Sequence, residues 1–179
     1  MIVSKDTNER RNALNELFPY VKADMKGTME AMDGYPVTIR TLDPPLHEFI
    51  PNNHDERGKL AESLGISMDE FVKRADGLHE SNPMMGHRGV RLGITYPEIT
   101  EMQMRSLFEA TVELINEGKK PIPELMVPVT CDVSELDVTK KIVDKVYDEV
   151  CKKYNVKKID YKYGTMIEIP RACLLADRM

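Results

Sequence analysis

Pro36-Val37-Thr38-Ile39-Arg40-Thr41-Leu42 is a short β-branched run, with Gly34-Tyr35 before it and Asp43-Pro44-Pro45 after it. This composition predicts a buried strand, because branched side chains suit a pleated surface and Gly and Pro punctuate both ends. A second such run is Pro123-Glu124-Leu125-Met126-Val127-Pro128-Val129. A third spans Ile159 to Ile169, with Gly164-Thr165-Met166-Ile167-Glu168-Ile169 as its apolar core. Helical patterns separate the three. Strand, helix and strand in alternation is a βαβ succession and predicts a parallel sheet, either open or closed into a barrel.

The helices follow from apolar spacing. Leu14, Leu17, Phe18, Val21, Met25, Met29 and Met32 fall at helical intervals. Pro19 interrupts them, so a helix to about Phe18 and a second or kinked helix beyond it are expected, closed by Asp33-Gly34. Leu46 to His54 reads as a loop. Two helices are expected in the stretch 52–80: a polar one from Asp55 to Leu64, and one opened by a Ser67-Met68-Asp69-Glu70 capping box with Phe71, Val72, Ala75 and Leu78 inward. This stretch reads as a helical insertion between strands. Ile99, Met102, Leu107, Phe108, Val112, Leu114 and Ile115 sketch an amphipathic helix ended by Gly118 and Pro121. Ser134 is the expected cap of the next helix, and Pro170 is placed to start the last.

Composition excludes several function classes. Hydrophobic residues are 41% and charged residues 31% of the 179, ordinary values for a globular chain and not for a disordered one. The net charge of −5, with no basic cluster interleaved with aromatics, argues against nucleic acid as a partner. No apolar run approaches the roughly 20 residues of a membrane span, and the first residues lack a secretion-signal pattern. Cys131, Cys151 and Cys173 have no metal-site or framework spacing and read as reduced thiols in a cytoplasmic protein. His47-Glu48 followed by His54 is not the spacing of a helical zinc site. The 12 Met, with no Trp, suggest adaptable core packing.

Three charged residues stand where chemistry is expected. Arg40 lies near the C-terminal end of a strand that should be buried, so it needs a partner such as Asp43 or an anionic ligand. Arg88 lies in Asn82-Pro83-Met84-Met85-Gly86-His87-Arg88-Gly89-Val90-Arg91-Leu92-Gly93-Ile94-Thr95-Tyr96-Pro97-Glu98-Ile99, where Gly86 and Gly89 flank His87-Arg88 and allow backbone to approach a ligand. It reads either as a phosphate- or carboxylate-holding group or as a solvated arginine on a structural turn. Glu168 lies in the third strand. In a parallel α/β sheet, ligands gather at the C-terminal strand ends, where two arginines and a carboxylate suit an anion with a hard cation such as Mg²⁺.

Three segments carry a family resemblance: Thr38 to Phe49, Asn82 to Ile99, and Gly164-Thr165-Met166-Ile167-Glu168-Ile169-Pro170-Arg171-Ala172. In that order they resemble the C-terminal phosphoenolpyruvate/pyruvate-binding domain of the pyruvate, phosphate dikinases, and the likeness covers the whole chain. Phosphoenolpyruvate synthases and enzyme I of the phosphotransferase system share the barrel but differ in both arginine motifs. The resemblance implies about half of a TIM-type (β/α) barrel over 1–179. It implies a phosphotransferase reaction, ATP + pyruvate + phosphate ⇌ AMP + phosphoenolpyruvate + diphosphate. By motif position Arg40 and Arg88 are implied as catalytic and substrate-binding residues, and Glu168 as a substrate-binding residue and Mg²⁺ ligand. The implied partners are phosphoenolpyruvate or pyruvate, a phosphohistidine domain of the full-length enzyme, and a second copy in a homodimer.

The family's ATP-grasp and Thr-Ser-His segments, its first barrel arginine, its Asn-Asp metal motif and its proton-donating cysteine are absent from these 179 residues. The expectation is that the segment alone is inactive. The alternative function is a truncated half-barrel serving as a binding or interaction module. With open strand edges, the isolated segment is expected to dimerise, swap elements or aggregate.

Overall fold

The computed structural model describes residues 1–79 and 81–179. Strands β1 (Pro36–Arg40), β2 (Ile122–Val127) and β3 (Lys162–Thr165) form one parallel sheet in the order β1-β2-β3. The register pairs Arg40 with Met126 and Val127 with Thr165, so all three strands end on one side. The helices α1 (Thr7–Ala31), α2 (His54–Ser63), α3 (Met68–Asp76), α4 (Gly89–Thr95), α5 (Pro97–Asn116), α6 (Val133–Tyr154) and α7 (Pro170–Leu174) alternate with the strands. The molecule is α/β, and its parallel strands with intervening helices form part of a (β/α) barrel wall.

Several elements differ from the sequence reading. α1 is a single helix running through Pro19, capped by Asp6 accepting from the Glu9 N–H. Pro19 lies on the exposed side, where its missing donor is tolerated because tertiary packing holds the turns on both sides. α6 is capped by Asp132 and not Ser134: Asp132 and Glu135 form a reciprocal capping box. The third strand is much shorter than expected, since Met166 to Ile169 lie beyond it. Met166 makes the last ladder bond, N–H to Val127 O at 3.0 Å. Val129 then turns to φ +64° and gives its N–H to the Glu168 side chain, leaving the ladder without a donor to continue it.

α5 is not a two-faced helix. Met104, Leu107, Phe108, Ala110 and Leu114 are fully buried and so are Ser106, Glu109 and Thr111, whereas Ile115 is 45% exposed. α1 packs against one flank and α6 against another. Phe108 meets Tyr147 and Tyr161 edge-on, with ring centres 5.5 and 5.0 Å apart, geometry that suits aromatic quadrupoles. Two buried acids on α5 have matched cations. Glu98 takes a 2.7 Å ion pair from Arg10, whose guanidinium lies 3.7 Å over the Tyr96 ring. Glu109 takes Lys153 at 2.7 Å and the Tyr154 hydroxyl at 3.1 Å. Burial, with the neighbouring Glu109 and Glu113 carboxylates, pushes the Tyr154 hydroxyl up to about 12.

α2 and α3 close a satellite core of Ile50, Ala61, Phe71 and Ala75. Ser67 caps α3 through the Glu70 N–H. No described helix is long and apolar enough to cross a membrane.

Candidate functional site at the strand ends

The loop before α4 is shaped by its own residues. Asn82 accepts from the Met84 N–H at 3.1 Å and opens a single 3-10 turn, Pro83–Met85. Arg91 reaches back from α4 and donates to Met85 O at 2.7 Å and to Met84 O at 3.0 Å, so the turn is clamped to the helix that follows it. Gly89 has φ +56°. A Cβ there would lie 2.7 Å from Val129 Cγ2 and 3.0 Å from Pro128 O, so only glycine lets α4 begin against the end of β2. The Val90 N–H completes the junction by donating to Pro128 O at 3.1 Å.

This docking carries Arg88 to the end of β1. Its Nη2 lies 2.9 Å from Asp43 Oδ2, while Nε donates to Asp43 O at 2.8 Å and to Oδ1 at 3.2 Å. Arg40, the last residue of β1, places Nη1 3.0 Å from the same Oδ2. The two arginines, 48 positions apart in sequence, therefore share one buried carboxylate. Arg88 is not a solvated arginine on a turn, since its side chain is 15% exposed. Arg40 has the Asp43 partner that the strand reading allowed, and remains 45% exposed. Two cations on one anion leave the group net positive, as a site for an oxyanion requires.

Glu168 stands beyond β3, and its Oε1 accepts the Val129 N–H at 2.8 Å. It is thus tied to the turn after β2, the same turn on which α4 docks. Arg171 forms a 3.1 Å ion pair with Asp132 at the start of α6 and so fastens the segment after Glu168. Hydrogen bonds from the Ser134 N–H and hydroxyl, with Arg171 beyond them, hold the Asp132 carboxyl below its usual range. Among the described residues no three His, Cys, Asp or Glu side chains gather as a metal site. Glu168 would supply one oxygen donor to Mg²⁺, whose remaining positions water and substrate oxygens can fill.

The sequence points to Arg40, Arg88 and Glu168, and to Asp43 only as a local partner of Arg40. Its second role depends on a contact 45 residues away, and the only sign of it was an acid set directly before Pro44-Pro45. His87, next to Arg88, packs its ring against Tyr96, with ring centres 5.4 Å apart.

The family model described as "PEP-utilising enzyme, PEP-binding domain" matches residues 4–179. The chain is 47% identical over 178 residues to the pyruvate, phosphate dikinase of Clostridium symbiosum, covering 99% of this chain and 20% of the relative. It is 47% identical to that of Giardia intestinalis over 179 residues, 100% of this chain and 20% of the relative. To the chloroplastic pyruvate, phosphate dikinase 1 of Arabidopsis thaliana it is 48% identical over 185 aligned positions, 100% of this chain and 19% of the relative. The chain thus spans about a fifth of the length of these relatives. With the match running from Ser4 to the last residue, the chain belongs to the PEP-binding domain family of the PEP-utilising enzymes.

Proposed function

We propose that these residues supply part of the phosphoenolpyruvate/pyruvate site of a pyruvate, phosphate dikinase, a phosphotransferase converting ATP, pyruvate and phosphate to AMP, phosphoenolpyruvate and diphosphate. The observation that carries this reading is the meeting of Arg40 and Arg88 on buried Asp43 at the C-terminal end of the sheet. Guanidinium groups match the oxygens of a phosphate or carboxylate, and phosphoryl transfer depends on such positive groups around the transferring oxygens. In this reading Asp43 orients both forks before substrate arrives, so little reorganisation accompanies binding. Glu168 would hold Mg²⁺, which when bound supplies charge stabilisation to carboxylate and enolate oxygens. The free thiols Cys131, Cys151 and Cys173 suit a reducing, cytoplasmic-type compartment. A phosphohistidine domain and a second copy of the full-length enzyme are the proposed macromolecular partners, and 52–80 is read as a helical insertion. Alone, the segment binds substrate without turning it over.

Calorimetric titration of the chain with phosphoenolpyruvate in the presence and absence of Mg²⁺ tests this. Arg40→Ala and Arg88→Ala should each weaken binding by about tenfold or more, as expected for loss of a charge-assisted contact. Glu168→Ala should remove the Mg²⁺ dependence. A wild-type chain that takes up no phosphoenolpyruvate at millimolar concentration with Mg²⁺ would sink the reading.

A further inference from the structure

Val129 departs from the ordinary rules of backbone geometry. It is β-branched and 3% exposed, yet it has φ +64°. A branched side chain crowds the backbone in the left-handed region, and such a conformation persists only where its surroundings over-determine it. Glycine would adopt it freely.

Its contacts on two sides account for a valine here. On the backbone side, the Val129 N–H is directed at Glu168 Oε1, 2.8 Å away. On the side-chain side, Cγ2 and Cβ stand 2.7 and 2.9 Å from where a Cβ on Gly89 would lie, so Val129 occupies the slot that Gly89 leaves open. The same side chain packs with Ile169 and Ala172, which flank Glu168 on its C-terminal side. Arg88 immediately precedes Gly89, and the Val90 N–H is bonded to Pro128 O. One residue therefore touches the start of the arginine helix with its side chain and the carboxylate with its backbone.

We infer that Val129 is a positioning residue that couples the Arg88 loop to Glu168, its side chain keying Gly89 while its left-handed backbone aims an N–H at the carboxylate. The inference rests on the proposed reading of Arg88 and Glu168 as parts of one anion-and-cation site. The strain is retained because glycine at 129 would preserve the N–H but lose the key.

Amide hydrogen exchange resolved to single residues, measured on the ligand-free chain, tests this coupling. Glu168→Ala should speed exchange at position 129 by about tenfold or more, because that amide loses its charged acceptor. Gly89→Ala should do the same by displacing the valine. In a Val129→Gly background, Gly89→Ala should speed exchange at 129 several-fold less than it does with valine present, since the side-chain collisions are gone and only the Pro128 O contact and the positive φ of residue 89 remain. Equal damage in both backgrounds, or no effect of Glu168→Ala at 129, would overturn the coupling. Coupling is reciprocal, so Glu168→Ala should also speed exchange of the Val90 amide several-fold. That measurement decides the matter if Gly89→Ala does not fold, and an unchanged Val90 rate would refute the inference. Because every rate is read without ligand, this pattern in a chain that binds no Mg²⁺ or phosphoenolpyruvate would uphold the coupling and discard the function. Ligand binding with unaltered rates would do the reverse.

Discussion

A carboxylate only 4% exposed, as Asp43 is, needs cationic partners, and it has Arg40 and Arg88 on one oxygen. Removing it leaves Arg88 with the backbone oxygen of residue 43 and no countercharge in a largely buried position. Breaking a buried pair from one side costs more than the pair contributes, because the remaining charge is stranded. Asp43→Ala should lower stability by about 2–4 kcal/mol, and Asp43→Asn by less, since an amide oxygen still accepts. Urea unfolding of the three proteins checks this, and equal midpoints would show that the arginines find other partners. Arg40 was legible as a strand-end residue needing a partner, and Arg88 as a candidate because glycines flank it. That both partners are one acid was not legible, for nothing local to Asp43 specifies a residue 45 positions on.

At the scale of elements, α5 is held between α1 and α6 by ion pairs as well as apolar contact. Lys22 and Lys26 of α1 reach Glu113 at 2.8 and 3.3 Å, while Arg11 of α1 and Lys145 of α6 reach Glu101 at 3.0 and 2.7 Å. Partial burial raises the carboxyl of Glu101, but hydrogen bonds and charge from Lys145 and Arg11 outweigh it and the net direction is down. Glu113 behaves likewise with Lys22 and Lys26. A carboxyl lowered in the folded state contributes its stability above the ordinary value near 4.5 and loses it as pH falls through the lowered one. The thermal midpoint should therefore hold above about pH 5 and fall as acid titrates these pairs. Glu101→Gln with Glu113→Gln should make that fall shallower, by an amount matching about 0.5–1 kcal/mol for each partly screened group. An identical pH profile in the double variant would count against these pairs.

For the whole molecule, the sheet has β1 and β3 as its two edges within these residues. Across one face, Thr38 donates to Glu124 at 2.8 Å and Lys162 to Glu124 at 2.7 Å. Charges of this kind discourage edge pairing but do not satisfy unpaired backbone groups. The isolated 179 residues should therefore sediment as dimers or larger species whose fraction rises with concentration. A concentration-independent 20.5 kDa monomer would contradict this.

The sequence by itself determined the α/β class, the strand order along the chain, most helix limits and the three charged candidates. These depend on side-chain periodicity and on Gly, Pro and capping residues acting within a few positions. Tertiary structure decided what those residues meet. It carried α1 straight through Pro19, buried α5 beyond one face, ended β3 at Thr165, and set Glu168 on the turn of Val129. Each of these outcomes is fixed by a hydrogen bond or packed surface between residues distant in sequence, whose free energy outweighs the local preference.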